Sequence, residues 1–202
     1  MDTSKIQLSA DEMQLVNNSA WILTKHRVIE KVYRLFGQLS DEMQACLAAQ
    51  QEVLPVVLYQ LSPKISRGEQ YEQLPYVVLD YPRVFSKENV FAVRSFFWWG
   101  HYFSITLHLK GCFLQQYRQP LNAAFAAGQL PGAYLSDAGS EFSFNLEGKN
   151  YRLPEKLQAG VYVVQEDIPF LKISYKISFD QWQDAGPALL QCFQQLINAV
   201  KP

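Results

Sequence analysis

The sequence predicts an α+β protein with a mostly antiparallel sheet of about six or seven strands, N-terminal helices, one mid-chain helix and a C-terminal helix. Apolar residues recur at helical spacing near both ends of the chain, and between them stand short apolar runs separated by glycine and proline. Helices that flank a block of strands, instead of alternating with them, are typical of this class. We interpret residues 1–202 as a single domain, with 1–55 helical, 74–179 mainly strands with a helix near 111–128, and 180–200 forming the C-terminal helix.

The composition is that of a chain able to form a substantial core. Hydrophobic residues make up 49% of the 202 residues, and only 18% are charged. The net charge is −1 and the isoelectric point is near 6.3. A chain with this balance lacks the basic surface with which proteins hold nucleic acid or anionic lipid, so we expect neither as a partner.

The cysteines and the N-terminus indicate a reducing compartment. Cys46, Cys112 and Cys192 are far apart in the sequence and form no CxxC pair. The N-terminal residues lack the apolar segment of a secretory signal, and no run approaches the ~20 apolar residues of a membrane-spanning helix. We therefore predict a soluble, cytoplasmic protein whose cysteines are reduced and buried.

The N-terminal part contains three predicted helices. The first begins at a capping box, in which Ser9 precedes Glu12 by three residues. The second carries an apolar stripe of Trp21, Val28, Val32 and Leu35. We expect Gly37 to end this helix as a C-cap, and a third helix to run from Ser40 to Pro55.

The next segment predicts strands. Residues from Pro63 to Glu72 are polar and read as a loop, whereas Leu74 to Pro82 form an apolar run between prolines that indicates a strand. Residues 90–109 are too long for one strand, and Gly100 is the natural break. We predict a hairpin of Val90 to Trp99 and Tyr102 to Leu109.

The remaining elements follow from periodicity. Gly111 to Gly128 returns to helical spacing, residues 141–153 predict a second hairpin, and Val161 to Gln165 a short strand. Residues 170–179 alternate strictly, which predicts an edge strand with its lysines facing water. The stripe of the C-terminal helix consists of Trp182, Leu189, Phe193, Leu196 and Val200.

The faces of the first hairpin depend on its turn. A two-residue turn places Trp99 opposite Tyr102, and a four-residue turn gives the same faces. The predicted core face then carries Ala92, Arg94, Phe96, Trp98, Phe103, Ile105, Leu107 and Leu109. The predicted second face carries Phe91, Val93, Ser95, Phe97, Trp99, Tyr102, Ser104, Thr106 and His108. We expect this second face to be covered by helices, used as a subunit interface or hollowed into a pocket.

Charged groups on the apolar strands are the main chemical signal. Asp80 ends an apolar strand, where a carboxylate is costly to bury unless it is paired, and Arg94 or Arg83 is the expected partner. A guanidinium such as Arg94 keeps its proton, so it needs an anion nearby. An internal ion pair and a ligand anion are both open at this point.

Motifs for a reaction, a cofactor or a metal are absent from the sequence. There is no phosphate-binding or dinucleotide-binding glycine loop, no zinc-protease motif and no nucleophile elbow. His101 and His108 stand at opposite parity on the hairpin, and His26 lies on the polar side of its helix, so no metal site is predicted. We therefore predict no cofactor and assign no catalytic residue.

The candidate ligand-binding residues are Arg94, Trp99, Tyr102, His108 and Asp80. We interpret the protein as a non-catalytic domain that binds a small apolar or aromatic ligand, or a protein partner, through the aromatic hairpin face. The alternative is an enzyme, such as a hydrolase, that uses Asp80, Arg94, His108 or Cys112. The abundance of large aromatic residues at low charge also favours a homodimer.

Overall fold

The computed structural model describes residues 6–154 and 164–201, which form an α+β fold with four α-helices and a six-stranded antiparallel sheet. The elements are, in chain order, α1 (Ala10–Val16), α2 (Ser19–Ala48), β1 (Lys64–Tyr71), β2 (Leu74–Phe85), β3 (Val90–Trp98), β4 (Tyr102–Lys110), α3 (Cys112–Ala126), β5 (Tyr134–Ser136), β6 (Leu171–Ser178) and α4 (Ala185–Ala199). Short 3₁₀ helices occur at Val56–Leu58 and Phe179–Asp184. The predicted fold class is confirmed.

The N-terminal helices differ from the prediction at Gly37. The capping box of α1 is confirmed, because Ser9 Oγ accepts from the Glu12 backbone N–H and the Glu12 carboxylate accepts from the Ser9 N–H. However, α2 runs for 30 residues through Gly37, so this glycine is not a C-cap. Its buried stripe consists of Ile29, Val32, Phe36, Leu39, Met43 and Leu47. The stripe continues in phase across Gly37, and its burial outweighs the ~1 kcal/mol that a glycine costs in a helix.

The sheet order β1-β2-β3-β4-β6-β5 corrects two strand predictions. The polar segment from Pro63 to Glu72 is an edge strand, β1, and not a loop; its charged side chains suit a strand with one unpaired edge. β6 is not an edge strand, because it pairs with both β4 and β5. β2 is confirmed and extends beyond Pro82, with a bulge between Asp80 and Arg83.

The turn between β3 and β4 changes which residues share a face. Trp98 pairs with Tyr102 and Phe97 with Phe103, so three residues, 99–101, form the turn. Gly100 adopts φ 78°, the left-handed conformation common in three-residue turns. The predicted even-numbered turn was wrong, and an odd number of turn residues exchanges the two faces of β4 relative to β3.

One face of the sheet is covered by α2 and α4 and forms the main core. From the hairpin it carries Phe91, Val93, Phe97, Phe103, Ile105, Leu107 and Leu109. The predicted α3 and α4 are confirmed, and Leu189, Phe193 and Leu196 of α4 are fully buried against this core. This face is therefore dry and closely packed.

The other face is covered by an irregular segment, residues 137–153, which we call the strap. The predicted hairpin over 141–153 was wrong: this stretch has turns and coil, with one bridge between Leu135 and Arg152. A second apolar cluster fixes the strap to the sheet, and it consists of Val78, Phe96, Trp98, Tyr102, Phe144, Leu146 and Tyr151. The sheet is thus covered on both faces along its centre.

Two further predictions concern the strand at Val161 to Gln165 and the cysteines. Residues 161–163 lie outside the described part of the chain, and Val164 and Gln165 are not in a strand. All three cysteines are free; Cys46 and Cys192 are half-buried, but Cys112 is exposed, contrary to the prediction. Across 6–154 and 164–201, none of the helices combines the length and apolar character that a bilayer crossing requires.

Candidate functional site

The face of the sheet under the strap is a partly polar interior. The polar residues that point from the sheet into it are Asp80, Arg94, Ser104, Thr106, His108, Ser136, Lys172 and Ser174. Four of the five predicted site residues, Asp80, Arg94, His108 and Tyr102, share this face. The corrected parity explains the grouping, because residues 94, 104, 106 and 108 face the same side only when the turn has an odd number of residues.

Asp80 and Arg94 form the predicted ion pair. They lie opposite each other on β2 and β3, with Arg94 Nε 2.8 Å from Asp80 Oδ1 and Nη2 2.9 Å from Oδ2. The side chains are 10% and 26% exposed, respectively. Arg83, the other partner considered, donates its Nε to the Ser62 carbonyl instead.

The bidentate pair holds the Arg94 guanidinium in one orientation. Its Cζ lies 4.8 Å from the centre of the Phe144 ring, so an aromatic ring of the strap also fixes its plane. A guanidinium has five N–H bonds, and Asp80 uses two of them. The remaining N–H bonds of Arg94 have no hydrogen-bond acceptor among the described residues.

Next to Arg94 lies a group formed by His108, Lys110 and Glu141. The Glu141 carboxylate is 3.2 Å from His108 Nε2 and 2.9 Å from Lys110 Nζ. Burial, together with nearby cations such as Lys172, lowers the pKa of His108 to about 4 even though Glu141 acts in the opposite direction. His108 is therefore neutral near pH 7, and its Nε2 makes no well-oriented hydrogen bond among the described residues.

These groups border a cleft of about 450 Å³ between the β3–β4 hairpin and the strap. Its walls are mainly apolar and consist of Phe85, Val90, Ala92, Phe142 and Phe144. Its polar lining consists of Ser86, Lys87, Arg94, His108, Lys110 and Glu141. The volume lies within the range of small-molecule sites, and the combination of apolar walls with few convergent polar groups is typical of them.

Lys172 is a buried cation that the sequence prediction placed in water. Its side chain is inaccessible to solvent, and its Nζ donates to the backbone carbonyls of Glu141 and Ser143 in the strap. Phe144 and Tyr151 present their rings to it at 4.8 and 5.1 Å. Burial lowers the pKa of Lys172 from 10.5 to about 8. Strand alternation alone gives no sign of this role, because it does not show what covers the second face.

Tyr102 and Trp99 lie away from the cleft. The Tyr102 hydroxyl accepts from the Leu146 backbone N–H at 2.7 Å, so this residue anchors the strap. Burial raises the pKa of the Tyr102 hydroxyl. Trp99 is in the turn and borders a separate groove of about 360 Å³ that it shares with Trp21 and Lys25 of α2.

Cys112, which the enzyme alternative names, is the first residue of α3. Its backbone N–H donates to Asn89 Oδ1 at 2.8 Å. Its side chain is exposed, and Cys112 is not one of the residues that line the cleft. In the part of the chain that the structure describes, no three His, Cys, Asp or Glu residues are grouped as metal ligands would be.

Comparisons with protein-family models, curated proteins and solved structures find no match to this chain.

Proposed function

We propose that the protein binds a small organic anion with an apolar body in this cleft, without catalysing a reaction. One observation carries the proposal: a guanidinium, Arg94, is held in a fixed orientation at an apolar cleft and has N–H bonds to spare. Fixed guanidinium groups recognise carboxylate and phosphate because their parallel N–H bonds match two oxygen atoms.

The local charge supports an anionic ligand. Arg94, Lys87 and Lys110 line the cleft and Lys172 contacts its residues Glu141 and Phe144, whereas Asp80 and Glu141 supply two carboxylates, so cations outnumber carboxylates here. The neutral imidazole of His108 adds a polar group without adding charge. An anionic group, such as a carboxylate, matches this excess of positive charge.

The walls support an apolar body. Phe142 is 77% exposed and Phe85 is 50% exposed, which is unusual for phenylalanine in a soluble protein. Together with the half-closed cleft they offer apolar surface that a ligand ring or alkyl chain would remove from water at ~25 cal/mol per Å². A small arylalkyl carboxylate satisfies both requirements.

The test compares an anion with its uncharged analogue by isothermal titration calorimetry. We expect 3-phenylpropionate to bind, and 3-phenylpropionamide to bind at least about tenfold more weakly, since only the carboxylate uses the free N–H bonds of Arg94. Phenyl phosphate distinguishes a phosphate site from a carboxylate site. The Arg94→Lys variant keeps a positive charge opposite Asp80 but loses the planar guanidinium with its parallel N–H bonds. It should therefore lose most of the affinity for 3-phenylpropionate.

Arg83→Lys is the matched control, because Arg83 lies on the neighbouring strand and does not line the cleft. Equal affinity for the acid and the amide, or unchanged affinity in Arg94→Lys, would contradict the proposal. Chemical conversion of the probe during the titration would favour the enzyme alternative.

We also propose a cytoplasmic location, supported by the free cysteines, and cell fractionation tests it.

A further inference from the structure

The N-terminal arm, residues 6–24, packs little against the rest of the described chain. All of its residues are exposed, and α1 has no buried residue at all. Isolated helices shorter than about 12 residues are marginally stable in water, and α1 has seven residues. A helix of this length therefore needs packing that its own chain does not supply.

The arm also exposes more apolar surface than a monomer usually does. Its exposed apolar residues are Ile6, Leu8, Met13, Leu15, Val16, Trp21, Ile22 and Leu23. Summed over these eight residues, the exposed fractions correspond to an area on the order of 800 Å², which is of the same order as one partner's share of a standard interface. Half or more of the surface of Ile6, Val16 and Leu23 faces water.

Two copies of the arm in antiparallel orientation would be complementary in charge. Asp11 and Glu12 make its N-terminal turn acidic, whereas Lys25 and Arg27, immediately beyond it, are basic. Within the described residues neither Asp11 nor Arg27 forms an ion pair; Arg27 donates only to the Thr24 hydroxyl. If two arms cross antiparallel near Ser19, the acidic first turn of α1 in one copy lies on the same side of the crossing as Lys25 and Arg27 of α2 in the other.

The groove that Trp99 borders lies at the base of the arm. Trp21 belongs to both the arm and this groove, and Leu74 and Pro75 supply its other apolar walls. Tryptophan pockets are the usual anchor points of protein interfaces. From the area, the charges and this pocket, we propose that the arm is a two-fold interface between two copies of this chain.

The test is the mass in solution, measured by light scattering coupled to gel filtration at high micromolar concentration. Wild type should have twice the 23.2 kDa chain mass. The double variant Val16→Glu/Leu23→Glu should be monomeric, with a dissociation constant raised by about a hundredfold or more. Both residues are exposed, so each copy of the variant should remain folded, with a far-UV circular dichroism spectrum like that of wild type.

The matched control is Val56→Glu, which places the same charge on a residue that is 68% exposed. It lies beyond the far end of α2, whose 30 residues span about 45 Å, and is not part of the arm, so this variant should stay dimeric. A monomeric wild type, or a dimeric double variant, would overturn the proposal.

A second measurement is independent of mass. In a Cys112→Ser background, which removes the exposed natural thiol, Ser19→Cys should form a disulfide-linked dimer on mild oxidation, whereas Val56→Cys should not. Equal cross-linking of the two would contradict a crossing at Ser19 and with it the proposed interface.

Discussion

Lys172 makes the stability of the protein depend on pH in an unusual direction. Its pKa is about 8 in the folded protein, and its ordinary value is 10.5. The unfolded chain therefore binds the proton more tightly than the folded one. Between these two values the unfolded state holds more protons, so the free energy of unfolding rises as the pH rises.

The linkage relation gives the size of the effect. With these two pKa values, deprotonation of Lys172 raises the free energy of unfolding by about 2 kcal/mol between about pH 7 and about pH 9.5. Tyr102, Tyr151 and Tyr175 have pKa values raised by burial, and they destabilise the fold only above the ordinary tyrosine pKa of 10.0. Burial also raises the pKa values of the Cys46 and Cys192 thiols from the ordinary 9.0, which lowers the free energy of unfolding within this interval, so the contribution of Lys172 is the difference between wild type and a variant that lacks the lysine.

The assay is urea unfolding followed by tryptophan fluorescence, in wild type and in Lys172→Met. We expect wild type to gain about 2 kcal/mol relative to the variant across this pH interval. Lys176→Met is the control, because Lys176 is exposed on the same strand and pairs with Glu147 at 3.0 Å, so its profile should stay parallel to wild type. Parallel profiles for wild type and Lys172→Met would refute burial of the charge.

Two further predictions test the sheet and its helix. Arg94→Met should lower the free energy of unfolding by about 3 kcal/mol, because it leaves the buried Asp80 carboxylate unpaired, and Asp80→Leu in the same chain should restore most of the loss; urea unfolding that shows no recovery would contradict this. Phe193→Ala should cost about 3–5 kcal/mol, because Phe193 is fully buried on α4. A wild-type thermal unfolding temperature for this variant would mean that α4 does not pack against the sheet.

Periodicity predicts the elements whose burial is one-sided and fails where burial depends on distant residues. α3 and α4 follow from sequence spacing, because each has a single apolar face, whereas the hairpin follows from two apolar runs on either side of Gly100. β1 does not follow from sequence spacing. Edge strands commonly carry charged side chains, so the sequence of such a strand resembles that of a loop. The turn at Gly100 was misjudged because one glycine fits turns of several lengths, yet its length decides which residues face the strap.

The candidate site shows the same division. The sequence predicts that Asp80 needs a cationic partner, because burying a charge without one is costly, but it leaves both Arg94 and Arg83 open as that partner. The burial of Lys172 is not predictable in this way, because it requires knowing that residues about 30 positions earlier fold back over its strand. The sequence predicts His108 as a site residue but not its neighbour Glu141, because Glu141 lies on the strap and reaches the site only when the strap folds over the sheet.

The sheet holds the strap partly through main-chain atoms. The hydroxyls of Tyr71 and Tyr102 accept from the N–H groups of Phe144 and Leu146, and the lysine on β6 donates to strap carbonyls. Main-chain groups are common to all residues, and the side chain of Phe142, which is 77% exposed, takes no part in the cluster that fixes the strap. A substitution at Phe142 should therefore reshape the wall of the cleft while the scaffold that carries it stays unchanged.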